Sequence, residues 1–251
     1  MRFFIYFSYN GANYSGWQNQ PNAITVQEQL EKDISLLLRK ETDVIGAGRT
    51  DAGVHAKLMV AHFDADINTA EAAGLVPRLN GLLPKDISIH RIVPVVEGTN
   101  ARFAATARTY KYFITSTKDP FIGELMLKTH LKLNFEKMNE AAKIMLEYDD
   151  FECFSKVRTD VKTFICHIRE AYWAPHPYIT DCHVFTITAD RFLRNMVRAI
   201  VGTLFEIGRE KKEPKDMHTI IASKDRGMAG SSAPANGLYL WNVEYPYEIF
   251  I

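Results

Sequence analysis

The chain has 251 residues, 47% hydrophobic and 24% charged, enough for one large or two modest domains with a real core. These proportions exclude collagen, a coiled coil and a chain too polar to fold. Thirty basic residues balance thirty acidic ones, so any polyanion would have to be met by a locally basic face rather than by the whole molecule.

Residues 2–9 form a β-rich run that ends in the turn residues Asn10, Gly11, Ala12 and Asn13. Thr25 with Glu28 three residues on is a capping-box pattern, and Val26, Leu30, Ile34, Leu37 and Leu38 then keep helical spacing through to Arg39. A glycine loop precedes a strand over 57–63. Thr69 reads as the cap of a shorter helix carrying Leu75, Val76 and Leu79, and 86–96 as a long strand. The second half repeats the plan, with a strand over 110–116 and a helix over 134–147 that places Met138, Ala141, Ala142 and Met145 on one side. Strands follow over 163–173 and 182–189. The strongest helical pattern in the chain covers 192–207, a short helix 214–223, and a closing strand 238–245.

Two successive sets of roughly βαββαβ order predict an α+β protein of two ferredoxin-like halves sharing a mostly antiparallel central sheet flanked by helices. The join falls near residues 100–109, giving halves 1–105 and 106–251. Cys153, Cys166 and Cys182 are an odd, irregularly spaced set, so they read as buried or neutral thiols rather than as a disulfide framework or a zinc site. No stretch approaches the ~18 apolar residues of a membrane span, and the aromatic start is not followed by an apolar run with a cleavage site. The expected location is the cytoplasm.

Chemistry could reside in three places. In Gly46-Ala47-Gly48-Arg49-Thr50-Asp51-Ala52-Gly53 the glycines describe a tight loop around Arg49, Thr50 and Asp51. It is not a dinucleotide fingerprint, because Asp51 stands where the third glycine belongs and a strand follows, and it lacks the Gly-Lys-Ser/Thr of a P-loop. Two readings remain open: a turn holding a structural Arg–Asp pair, or a nucleophile or base kept ionised by a neighbouring cation. The second place is the helix starting at Arg191. At 100° per residue, Leu193, Met196, Val197, Ile200 and Leu204 share one face, while Arg191, Arg194, Asn195 and Arg198 share the other with no acid four residues away. Such a face is either solvated or suited to phosphates or one buried carboxylate. The third is the run 100–112, which interleaves Arg102, Phe103, Arg108, Tyr110, Lys111 and Tyr112, a composition compatible with a nucleic-acid groove. Tyr110 and Tyr112 share a strand face, so either could simply be core. The eight histidines show no metal-ligand spacing, and His55 and His62 read as structural. Lys156, Arg158 and Lys162, with Arg209, Lys211, Lys212 and Lys215, read as solvated charge within reach of phosphates.

Together and in this order, these pieces closely resemble the tRNA pseudouridine synthase A (TruA) family, essentially end to end. The resemblance runs through Tyr9-Asn10-Gly11, Gly16-Trp17-Gln18, Val26-Gln27 and the highly specific Gly48-Arg49-Thr50-Asp51-Ala52-Gly53-Val54-His55-Ala56. It continues through Leu79-Asn80, Leu83-Pro84, Ala101-Arg102-Phe103, Ala107-Arg108-Thr109-Tyr110-Lys111-Tyr112, Asp150-Phe151 with Phe154, Asn195-Met196-Val197-Arg198 and Gly237-Leu238-Tyr239-Leu240. Asn10 and Asn100 depart from the family's usual Asp and His, at positions that carry no chemistry in the family. The resemblance implies isomerisation of uridine to pseudouridine at positions 38 to 40 of the tRNA anticodon stem-loop, in a cleft between the halves. Asp51 matches the family's nucleophile, Arg198 the cation that holds it ionised, Tyr110 the ring that stacks on the target base and accepts a proton, and Arg49 the arginine that holds the flipped nucleotide. Arg194, Arg102 and Arg108 are further candidates for substrate contact. A homodimer gripping the tRNA and no metal or other cofactor are also implied. Two other classes compete: a non-catalytic tRNA-binding or folding module on the same groove, and a hydrolase of small glycosides or nucleosides, which would call for a second carboxylate that the Asp51 motif does not supply.

Overall fold

Strand β1 (Arg2–Tyr9) buries five consecutive residues, Phe3 to Phe7, so both of its faces are covered, as befits the middle of a sheet. The computed structural model that shows this describes residues 1–122, 125–157 and 162–251; Arg158 lies outside them. By its contacts the chain divides into two units, Met1–Thr106 with Tyr239–Ile251, and Ala107–Leu238.

In the first unit, helix α1 (Val26–Leu38) begins at Thr25, whose hydroxyl accepts the Glu28 N–H at 3.3 Å, and ends at Arg39 in the left-handed region. Val26, Leu30 and Ile34 are its buried stripe, as their spacing predicts. The short strand β2 (Ile45–Gly46) pairs with β3 (His55–Asp64). Helix α2 (Thr69–Leu82) is capped one residue earlier than expected. Asn68 accepts the Glu71 N–H at 3.0 Å while Glu71 accepts the Asn68 N–H at 2.8 Å, a reciprocal pair that Thr69 does not make. Strand β4 (Ile87–Val95) then lies antiparallel to β1, which is antiparallel to β3 on its other side. The last strand of the chain, β9 (Leu238–Glu244), runs parallel to β3 through His55 opposite Tyr239 and Ala56 opposite Leu240.

The second unit is built on β5 (Ala107–Thr115), with the short β6 (Leu127–Lys128) parallel to it and β8 (Cys182–Ala189) antiparallel. Beyond β8 lies β7 (Ile168–Pro175), also antiparallel. Helix α3 (Phe135–Ile144), started by Asn134, packs against β7 and against α4 (Met196–Gly208); α5 (Asp216–Ser223) follows. Each unit satisfies an outer strand in the same way. The Asn80 amide bonds both the N–H and the C=O of Ile89 at 2.7 and 2.9 Å, and the Asn139 amide does the same for Trp173 at 2.7 and 3.0 Å. A helix side chain thus stands in for a missing neighbouring strand.

The architecture is therefore mixed α+β with mostly antiparallel pairing, flanked by five helices among the described residues. No helix of the described residues is long and apolar enough to cross a membrane. Two expected elements shift. The strand expected from residue 163 begins at Ile168, because the residues before it are engaged elsewhere: Phe151 N–H bonds the Phe164 carbonyl, Cys166 N–H the Asp149 carbonyl, and His167 N–H the Asp190 carboxylate. The helix expected from residue 192 begins at Met196, because Asn195 sits at φ 66°, a conformation no helix continues through. Arg191 and Arg194 therefore precede the helix, and the single four-residue basic face does not form. Within α4 nearly every side chain is buried on all sides, Arg198 and Glu206 being the half-buried exceptions.

Candidate active site

The Asp51 loop is clamped by residues far away in sequence. Ala47 N–H bonds the Val60 carbonyl at 2.7 Å where the chain leaves β2. The Thr50 hydroxyl is bonded to the Tyr9 hydroxyl at 2.8 Å in a buried contact, and the Thr50 carbonyl accepts the Trp17 N–H at 3.2 Å. Gly53 N–H reaches the Tyr14 carbonyl at 3.3 Å, and Val54 N–H closes back on the Asp51 carbonyl at 3.1 Å. His55 accepts the Gly11 N–H on Nδ1 at 3.0 Å and stacks on Tyr239 at 4.6 Å between ring centres. Gly16 makes the closest approach. Its φ is 95°, and a Cβ there would stand 2.5 Å from the Thr50 carbonyl oxygen, so no other residue fits without moving the loop. The result is a half-buried carboxylate, Asp51, on a backbone fixed on both flanks, with Arg49 exposed two residues before it.

Sequence reasoning found Asp51 and Arg49 but gave no role to Tyr9, Gly16 and Trp17. Their only signal was their place in the family's motif order. His55 and His62 prove structural, each taking a backbone N–H on Nδ1.

In the second unit, Tyr110 lies on β5 opposite Ile187, half-buried, with its ring edge-on to Phe192 at 5.1 Å. Tyr112, two residues on, is wholly buried, and its hydroxyl donates to the Pro234 carbonyl at 2.8 Å. Burial raises its pKa well above the usual phenol value, opposed by the nearby Arg198 charge. Tyr112 is therefore core, and Tyr110 is the tyrosine of the pair left at a surface. Arg198 stands in the first turn of α4, where its Nε donates to the Ala233 carbonyl at 2.7 Å and its own carbonyl accepts the Ala233 N–H at 2.9 Å. Asn195 donates to the Ser232 hydroxyl at 2.6 Å, and the Thr203 hydroxyl accepts the Gly230 N–H at 2.8 Å. At Gly202 a Cβ would overlap the Ser231 carbonyl oxygen, so α4 and the 229–234 segment lie backbone against backbone.

Arg108 donates to the Asp190 carbonyl at 2.8 Å, Arg194 is exposed with its carbonyl accepting the Lys156 N–H, and Arg102 is exposed on a turn of the first unit. Lys212 pairs with Glu206 at 3.4 Å. Among the described residues no group of three or more His, Cys, Asp or Glu could hold a metal ion. The three cysteines are free and buried, their thiols pushed up by burial to about 12, 12 and 11 for Cys153, Cys166 and Cys182.

His62 gives the first unit a pH dependence. Its ring is buried, accepts the Ala101 N–H at 3.1 Å and makes a backbone hydrogen bond to Ile45. Burial, and then the Arg2 charge, depress its pKa below the ordinary 6.5, against the smaller pull of Asp64. The unfolded chain then binds the proton more readily, so His62 contributes stability above pH ~6.5 that is lost as pH falls through its folded pKa. The melting temperature is expected to drop between pH 7.5 and 5.5. His62→Gln should flatten that slope without abolishing it, since His90 and His183 are depressed in the same direction. An unchanged slope would show that His62 does not carry the effect.

Comparison with known proteins places these features in a lineage. A family model described as tRNA pseudouridine synthase matches residues 141–246. The tRNA pseudouridine synthase A of Porphyromonas gingivalis is 58% identical over 251 residues, covering 100% of this chain and 99% of that one. That of Bacteroides fragilis is 55% identical over 249 residues, 99% and 98% of the two chains. That of Bacillus subtilis is 38% identical over 249 residues, 98% and 99% of the two. With identity this high along its whole length, the chain belongs to the tRNA pseudouridine synthase A family, a family of isomerases.

Proposed function

We propose that this protein converts uridine to pseudouridine in tRNA, at positions 38 to 40 of the anticodon stem-loop, with Asp51 as nucleophile. The observation that carries the reading is the fixation, by Tyr9, Trp17, Tyr14 and Gly16, of the loop backbone that bears a half-buried carboxylate, a degree of preorganisation that a simple surface turn does not call for. The reaction breaks the bond from ribose C1′ to N1 of uracil, forms one from C1′ to C5, and releases the C5 hydrogen as a proton while N1 takes up a proton in its place. The same atoms are present before and after, so no redox partner or phosphoryl donor enters the balance. A carboxylate can add to the base or assist its departure from the ribose. The target base must first leave the stem, at a cost of a few kcal/mol that stacking and phosphate contacts offset.

Each partner then has a role. Arg198 supplies the positive charge that keeps Asp51 ionised. Tyr110 stacks on the flipped base and takes the C5 proton. Arg49 holds the extruded nucleotide, and Arg102 and Arg194 meet the backbone. Arg108, whose guanidinium already serves the Asp190 carbonyl, is the weakest of these contacts. The order β4, β1, β3 with β2 on β3 supports a ferredoxin-like reading of the first half, and β5, β8 and β7 are compatible with three strands of a second. The working form is a cytoplasmic homodimer that needs no cofactor.

Unmodified tRNA incubated with the protein, digested to nucleosides and separated tests the reading. Pseudouridine supports it, free uracil would point to a hydrolase, and unchanged uridine in a tightly bound tRNA to a silent binding module. In the same assay Tyr110→Phe should lower turnover by roughly 10²-fold or more while affinity for tRNA stays within a few-fold. Unchanged turnover would reduce Tyr110 to a stacking platform.

A further inference from the structure

Residues 100–104 form a turn whose backbone is fixed from several directions. Ala101 is fully buried, its N–H donating to His62 Nδ1 at 3.1 Å and its carbonyl accepting the Tyr245 hydroxyl at 2.7 Å. The Asn100 side chain accepts the N–H groups of Arg102 and Phe103 at 2.9 and 3.3 Å, and the Asn100 carbonyl accepts the Ala104 N–H at 2.9 Å. Arg2 donates to the Thr99 carbonyl at 3.1 Å just before the turn. At its tip this rigid turn presents a phenylalanine that is 79% exposed, with the Arg102 guanidinium 5.6 Å from its ring centre. A lone exposed Phe is unremarkable. A Phe held out on a turn anchored by a buried imidazole and a tyrosine hydroxyl, with a cation against its ring, is a prepared contact.

We propose that Phe103 is a stacking platform for an unpaired base of the bound tRNA, away from the reacting uridine, with Arg102 on the adjoining phosphate. This rests on the reading of the substrate as tRNA. The chemistry favours RNA over a protein partner. An apolar protein surface closing on Phe103 would have to strip water from Arg102, whereas a nucleotide offers a π-face for the ring and an anion for the guanidinium in one unit. With a net charge of zero, local pairs of this kind are where affinity for a polyanion must arise.

The test compares Phe103→Ala and Phe103→Trp with the wild-type full chain, reading tRNA dissociation constant, KM and kcat for pseudouridine formation, melting temperature, and mass in solution by light scattering. Loss of one base stack predicts that Phe103→Ala raises both Kd and KM about 5- to 100-fold, with kcat at saturating tRNA unchanged and Phe103→Trp within a few-fold of wild type. Unchanged Kd and KM would overturn the proposal. So would a lowered melting temperature, which would make the ring structural, or an altered mass, which would make it a contact between copies of the chain. If wild type binds tRNA but makes no pseudouridine, the Kd arm still decides the role of Phe103, so that failure and failure of the proposed function are told apart.

Discussion

Asp51→Asn is expected to abolish pseudouridine formation while leaving tRNA affinity within a few-fold of wild type. Removal of a covalent nucleophile typically lowers turnover by at least about 10³- to 10⁴-fold, and the amide is nearly isosteric with the acid, so little else should change. The loop around it gives a specific reason to expect a clean result. Its shape is held by the backbone of Thr50, Gly53 and Val54 and by the Tyr9–Thr50 hydroxyl pair, contacts that an isosteric amide leaves in place. Polyanion binding gains nothing from a carboxylate, so a silent binding module would tolerate the change or bind more tightly. Activity close to wild type in the Asn variant would remove the nucleophile assignment, and lost affinity with unchanged kcat would make Asp51 a binding residue.

Arg198→Ala should show two losses at once. Its Nε bond to the Ala233 carbonyl is a charge-assisted contact whose removal leaves a carbonyl of the 229–234 segment short of a donor, a cost of about 1.5–3 kcal/mol. In its proposed role as the cation that keeps Asp51 ionised, its removal should also lower kcat by about 10²- to 10³-fold, the usual scale for one electrostatic contact in a reaction site. Arg198→Lys separates the two. It keeps the charge without the Nε–H that serves Ala233, so activity should recover further than stability. Thermal unfolding gives the first quantity and single-turnover kinetics the second. A destabilised Ala variant with wild-type kcat would leave Arg198 as a strut between α4 and the segment beside it.

Most of the scaffold was legible in the sequence because its elements obey local rules. The run of apolar residues made β1, Thr25 with Glu28 made the start of α1, and β8 occupies the expected 182–189. What was not legible depends on single backbone conformations or distant partners. Asn195, inside a sequence that reads as continuous helix, adopts φ 66° and gives its side chain to Ser232, which detaches Arg191 and Arg194 from the helical face that spacing alone assigns them. The start of β7 was displaced by residues pairing with 149–151, a choice no period-2 pattern records. At the site, Asp51 could be picked out from its motif, but its restraint could not. Tyr9 lies 41 residues from the Thr50 hydroxyl it bonds, and the need for glycine at position 16 arises only where it meets the Thr50 carbonyl. Tyr110 and Tyr112 were equivalent by strand alternation, and only the Pro234 carbonyl and the burial around Tyr112 distinguish core from surface.

The most direct measurement is tritium release from tRNA carrying 5-tritiated uridine, with wild-type protein and with Asp51→Asn. Isomerisation must expel the C5 hydrogen, so wild-type protein is expected to release tritium from positions 38 to 40 with uracil still joined to its ribose, and Asp51→Asn to release none above background. Release by Asp51→Asn at the wild-type rate, or none by wild-type protein on a tRNA it binds, would contradict the assignment of Asp51 as the nucleophile of a pseudouridine synthase.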